Sequence, residues 1–246
     1  MGAIRLLESN PHYLDLGGKP TVLITSGEHY GALLNADFDY VRYLDALAAD
    51  GFNLTRVFAG TYREIPGSFG IAGNTLAPDE GRFLAPWARS DELGYPHGGN
   101  KFDLSRFDEA YFARLQDLLT YADRRGVVVE LVLFCFLYND ELWAANPMNA
   151  PCNVNGIGRI ASRHEAFSLA SGPLLEAQER FVRRIVAECN RFDHLYWEII
   201  NEPYSLHDGT ALLDWQRRMA EVIVETERSL PKRHLIAQNI QNRHMA

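Results

Sequence analysis

Lysine is nearly absent from this chain, which carries it only at Lys19, Lys101 and Lys232. None of the three falls in a segment that reads as a strand, which argues against a Schiff-base lysine in a barrel. Cysteine is equally sparse, at Cys135, Cys152 and Cys189. The number is odd and no C-x-x-C pair occurs, so no disulfide framework is expected. Cys135 reads as a small buried apolar residue, because no histidine stands out as the partner of a nucleophilic thiol. The eight histidines lack H-x-H or H-E-x-x-H spacing, so no catalytic metal is indicated. G-x-G-x-x-G and G-x-S-x-G turns are also missing, and no cofactor is expected. No apolar run approaches the roughly 18–20 residues that cross a bilayer, so a membrane partner is not expected. The opening stretch, broken by Arg5 and Glu8, is too short for a signal-peptide core. As written the chain reads as cytoplasmic, with secretion of a longer precursor left open.

What is present is ordinary globular composition: 246 residues, 47% hydrophobic and 23% charged. That length suits one large core, and residues 1–246 read as a single domain. The net charge of −8 repels phosphate backbones, so nucleic acid is not an expected partner. No internal repeat stands out. Apolar runs alternate with amphipathic segments. Residues 21–27, 52–59, 127–137, 194–200 and 234–240 read as strands. Residues 38–50, 107–125, 174–191 and 211–229 read as helices, with Gly51 and Gly126 as stops.

Strands separated by helices imply parallel pairing with right-handed crossovers. The helix-to-strand links are short. The links leaving the second and third strands, residues 60–106 and 138–173, are long. Long loops at one end of a parallel sheet are where α/β folds place function. The pattern predicts a (β/α)8 barrel of the TIM type, truncated after about the fifth strand. An open five-stranded sheet is the alternative, and it would expose apolar edges. Self-association through such edges is expected.

One stretch carries most of the chemistry: Tyr196-Trp197-Glu198-Ile199-Ile200-Asn201-Glu202-Pro203. Proline biases the residue before it toward extended backbone. Glu202 is therefore expected at the strand's C-terminal mouth, partly desolvated and suited to general acid work. Asn201 offers a donor and an acceptor to a sugar hydroxyl. The bland alternative is a glutamate that caps the following helix. Glu198 and Glu130 lie inside apolar strands and each needs a partner, with Arg56 a candidate for both. Glu28 and His29 follow the first strand at the same mouth and are candidate substrate contacts. The long loops are rich in aromatics: Tyr62, Phe69, Phe83, Trp87, Tyr95, Tyr138 and Trp143. Among these Trp87, Trp143 and Tyr138 are candidates to line a cleft.

The W-E-I-I-N-E-P motif resembles the clan of retaining glycoside hydrolases built on (β/α)8 barrels, the cellulase-like families. In that clan an asparagine precedes the acid/base glutamate at the end of the fourth strand, and the count above makes this the fourth strand. Arg56, in Asn53-Leu54-Thr55-Arg56-Val57-Phe58, stands where the clan tends to carry an arginine late in the second strand. The opening Asn10-Pro11-His12-Tyr13 and Gly18-Lys19-Pro20 resemble the small hairpin at the start of such hydrolases. The resemblance implies hydrolysis of a β-linked oligo- or polysaccharide. Glu202 would be general acid/base, with Asn201 on the 2-hydroxyl and Arg56 beside the nucleophile. It also implies a nucleophilic glutamate ending a seventh strand, which no residue here matches. A histidine often found near the third strand's mouth is replaced by Phe134-Cys135-Phe136-Leu137-Tyr138. The rival reading is a non-catalytic barrel fragment that binds sugar or leans on a partner.

Overall fold

The computed structural model describes residues 3–25, 28–60, 62–204 and 210–240, with backbone alone at Glu28 and His29. It begins with a small antiparallel sheet of β1 (Arg5–Leu6), β2 (Leu14–Leu16) and β3 (Lys19–Thr21). Then come β4 (Glu28–His29), α1 (Tyr40–Ala49), β5 (Leu54–Phe58) and a hairpin of β6 (Trp87–Leu93) and β7 (Asn100–Phe107). These are followed by α2 (Glu109–Arg125), β8 (Val128–Cys135), the short α3 (Asp140–Ala144), α4 (Pro173–Cys189) and β9 (Leu195–Asn201). The described chain ends with α5 (Thr210–Glu227) and β10 (Ile236–Ala237).

The main sheet runs β10-β9-β8-β5-β4 with every pairing parallel. Spatial order follows chain order, as in one side of a (β/α) barrel. The helices form for local reasons. Asp108 caps α2 by accepting the Ala110 N–H at 2.9 Å, and Gly126 closes it at φ 68°. Pro173 opens α4, whose Leu174, Ala177, Phe181 and Ile185 make one buried stripe.

The two faces of the sheet have different work. On β5, Thr55 bonds the Tyr43 hydroxyl of α1 at 2.7 Å, and Val57 joins the large core beneath the helices. Successive side chains alternate, so Leu54, Arg56 and Phe58 point to the opposite face. There Leu54 and Val128 pack with Ile4 from the N-terminal segment. The small sheet adds Leu14 and Leu16 to this cluster and covers the N-terminal ends of the strands. Phe58, Val132 and Cys135 pack with Tyr62 and Leu142 nearer the other end.

Four sequence expectations change. The parallel strand predicted over residues 21–27 is seen only at Glu28–His29. Thr21 belongs to β3 instead, and residues 26 and 27 lie outside the described residues. Asn53 explains the displacement: its side chain accepts the Ile24 N–H at 2.7 Å and donates to the Val22 carbonyl at 2.8 Å. The Asn53 side chain thus bridges residues 22 and 24 beside a main-chain bond from the Asn53 N–H to the Ile24 carbonyl at 3.0 Å. The predicted helix at 107–125 starts two residues later, because Phe107 closes the hairpin. The link at 60–106 is not all loop, since it holds β6 and β7. The predicted strand at 234–240 contracts to two residues.

Candidate active site

The C-terminal ends of β5, β8 and β9 converge on one cluster. Arg56 stands in the layer below, facing Glu130 in register. Its Nε lies 3.2 Å from Glu130 Oε2, and its Nη2 lies 2.5 Å from Glu198 Oε2. One guanidinium therefore faces two carboxylates, as a pair of buried acids requires. Glu130 is pushed up to about 7, first by burial and then by the neighbouring Glu198 charge.

The same Arg56 Nη2 donates to Asn201 Oδ1 at 2.9 Å. That contact orients the amide, so Nδ2 points the other way and donates to Tyr138 Oη at 2.9 Å. Tyr138 then donates to Glu202 Oε2 at 2.5 Å. The second carboxyl oxygen, Oε1, accepts from Tyr204 Oη at 3.0 Å. Each group passes its donor to the next acceptor, an arrangement in which bonds polarise one another. Burial raises the Tyr138 and Tyr30 hydroxyls well above the usual phenol range, so both remain donors.

Glu202 departs from the extended backbone expected ahead of Pro203. Its φ is 47°, in the left-handed region that side chains rarely adopt. Proline disfavours only the right-handed helical conformation, and the Tyr204 N–H to Glu202 C=O bond at 2.7 Å closes a tight turn. The strand's alternation breaks before this turn, because Arg56 touches both Glu198 and Asn201, three residues apart. Both carboxyl oxygens are taken by tyrosines, so Glu202 does not serve as a helix cap.

A cavity of about 380 Å³ opens beside this carboxylate, lined by Tyr30, Glu64, Phe69, Ile71, Leu76, Tyr138, Glu202 and Tyr204. Among the described residues, the two non-glycine positions with positive φ are Phe69 and Glu202, and both line it. Strained backbone gathers at functional sites because the surrounding fold must hold it there. The loop that brings Glu64 and Phe69 to the cavity leaves β5 through Gly60. A Cβ there would sit 1.8 Å from the Leu133 carbonyl oxygen, so only glycine allows the crossing.

The structure brings together Glu202, Asn201, Arg56 and Tyr138. It separates the two tryptophans from them. Trp87 is 1% exposed and packs on Phe181 of α4, with ring centroids 5.8 Å apart. Trp143 is buried in the same large core. Neither lines the cavity, because the loops that carry them fold back onto the sheet-and-helix core. The backbone of Glu28 and His29 forms β4, while their side chains lie outside the described residues. Cys135 occupies the strand mouth as a buried thiol, pushed up to about 12 by burial, which makes it a poor nucleophile. Glu64, Tyr30 and Tyr204 are cavity residues that sequence reasoning missed. Their one legible signal is position, since each follows closely on the end of a parallel strand.

No family model and no curated protein matches the sequence. Solved structures do match. A family 5 mannosidase from Rhizomucor miehei superposes with a TM-score of 0.60 at 14% identity, covering 99% of this chain and 57% of that one. The fold is that of glycoside hydrolases. An endo-1,4-β-D-mannanase from Thermotoga petrophila aligns with a TM-score of 0.54 and 17% identity, over 88% of this chain and 54% of that one. An exo-β-1,4-mannosidase from an Opitutaceae bacterium gives 0.54 and 16%, over 91% and 33%. The chain therefore spans between one third and three fifths of these glycoside hydrolases.

Proposed function

We propose that this chain carries the acid/base side of a retaining O-glycoside hydrolase acting on a β-linked glycan. Glu202 protonates the leaving glycosidic oxygen and later takes a proton from the attacking water. The nucleophile is a second carboxylate about 5–5.5 Å away, contributed from outside these residues. The Asn201 amide nitrogen is the atom on the cavity side, and the hydrogen that meets Tyr30 Oη at 3.3 Å turns to the sugar's 2-hydroxyl when substrate binds. Arg56 holds Asn201 in that orientation. The observation that supports this reading is the Glu202 carboxylate itself. It is gripped by two tyrosines in a strained turn, at the mouth of a parallel sheet whose fold glycoside hydrolases share.

The mannoside-directed names of the solved neighbours make β-1,4-mannotriose the first substrate to test. In the complete enzyme, nucleophile included, Glu202→Gln is expected to cut its hydrolysis by about two to four orders of magnitude, the usual worth of a positioned proton donor. An activated aryl glycoside, which needs no proton at its leaving group, loses much less in the first step. Near-normal trisaccharide turnover by the variant refutes the assignment. A second reading, sugar binding without hydrolysis, draws on the open five-stranded sheet. Calorimetric binding of mannotriose by the complete protein with no product formed would favour it.

A further inference from the structure

The cavity beside Glu202 contains a second carboxylate that the hydrolytic steps do not use. Glu64 is 3% exposed and lies on the loop that leaves β5. Its Oε2 accepts the Tyr62 hydroxyl at 2.6 Å, and its Oε1 accepts Asn74 Nδ2 at 3.3 Å. An ionised carboxylate offers about four acceptor sites, so these two bonds leave it half-satisfied. Among the described residues no arginine or lysine forms an ion pair with it. The contrast with Glu130 and Glu198, which share Arg56 deeper in the sheet, is informative. A carboxylate buried only for structure finds a cation or fills its acceptor sites, because an uncompensated one is costly.

The same loop brings Phe69 to the cavity. The residue is 63% exposed, its ring stands edge-on to Tyr138 at 5.7 Å, and its backbone is held at φ 56°. An apolar ring left in solvent and a carboxylate with spare acceptors therefore face one space, with Ile71 and Leu76 completing the wall. A glycosyl unit has the matching chemistry. Its C–H face packs on an aromatic plane, and its hydroxyls need acceptors.

We infer that Glu64 is a specificity-determining residue, which accepts hydrogen bonds from hydroxyls of a glycosyl unit held against Phe69. This inference rests on the glycoside-hydrolase reading above.

The test is calorimetric titration of β-1,4-mannotriose and of cellotriose into the wild-type chain and its Glu64→Gln variant, with melting temperatures beside them. Glu64→Gln is expected to weaken the better-bound trisaccharide about ten- to a hundredfold, the range for hydrogen bonds to a charged group. It is also expected to change the affinity ratio of the two sugars while the melting temperature stays put. Phe69→Ala should weaken both sugars without altering the ratio. Unchanged binding by Glu64→Gln overturns the inference, and so does an unaltered ratio accompanied by early melting. If that variant fails to fold, Tyr62→Phe removes one tether and keeps the carboxylate. A few-fold loss with a shifted ratio then supports the inference, and no change overturns it. The two readings fail separately. A wild-type chain that binds neither trisaccharide sinks both. A silent Glu64→Gln beside a Glu202→Gln that abolishes hydrolysis sinks only this one.

Discussion

Replacing Glu130 with glutamine should make the protein more stable at pH 8 and leave it nearly unchanged at pH 5. Arg56 supplies one positive charge between Glu130 and Glu198, so the cluster is neutral only while one carboxyl keeps its proton. Burial and the Glu198 charge raise Glu130 from its ordinary 4.5 to about 7. Between those values the folded state binds a proton that the unfolded chain releases. The stabilisation is therefore complete below about pH 4.5 and is lost as pH rises through 7. The shift corresponds to about 3 kcal/mol. Arg56 is 21% exposed, so solvent screening lowers the expected loss to about 2 kcal/mol. Glutamine mimics the protonated acid, accepts from Arg56 and does not titrate. The assay is urea unfolding at intervals from pH 4.5 to 8.5, read as wild type minus variant. His194 titrates in the same window with the opposite sign. Burial lowers it, so its contribution is lost as pH falls below its ordinary 6.5. The subtraction removes that term because both proteins contain it. A difference that does not vary with pH, or one that favours the wild type at pH 8, refutes the reasoning.

Tyr138→Phe strands the Asn201 donor and takes a bond from Glu202, so urea unfolding should register a loss of about 1–3 kcal/mol. A loss below 0.5 kcal/mol, within the ordinary scatter of surface changes, would mean that the chain of bonds holds nothing. Glu227 accepts from the His234 ring and backbone at 2.5 and 3.0 Å and from Trp197 and Asn190 at 3.4 Å, all buried. Glu227→Ala should cost about 3–5 kcal/mol, with near wild-type unfolding as the contrary result. Trp87→Phe should leave calorimetric affinity for mannotriose unchanged, because the indole lies in the core. A threefold or larger loss would restore Trp87 to the cleft.

The second, third and fourth parallel strands were legible because each is a nearly unbroken apolar run bounded by a glycine or a helix stop. Buried on both faces, Val128–Cys135 has no alternation to mislead the eye. The hairpin β6–β7 was illegible for the opposite reason. Its residues, Trp-Ala-Arg-Ser-Asp-Glu-Leu and Asn-Lys-Phe-Asp-Leu-Ser-Arg-Phe, mix charge and apolar bulk without a clean period. The same blindness misplaced the two tryptophans. An aromatic in a long link packs outward on a cleft or inward on a core depending on whether the link folds back. Local pattern does not carry that choice. The first parallel strand slipped because the Asn53 side chain, on a neighbouring segment, takes two of the bonds that residues 22 and 24 were expected to make to a ladder, and Val22 and Ile24 stay exposed.

The site divides along the same line. Asn201 and Glu202 could be found because adjacent residues at a strand's end share a motif. Arg56 could be found because two carboxylates inside apolar strands need a cation and because the resemblance implies an arginine late in the second strand. What links them could not, since the bonds run from Arg56 to Asn201, from Asn201 to Tyr138 and from Tyr138 to Glu202 across more than sixty positions at each step. Such a chain is set by register between strands, Cys135 lying opposite Asn201, and by the turn that swings Glu202 out of line. Proline alone argued for a straight approach. The left-handed turn won because three contacts hold it: both carboxyl oxygens on tyrosines and the backbone carbonyl on the Tyr204 N–H. If those contacts are what overcome the backbone's preference, removing the phenols should relax the turn before it unfolds the sheet.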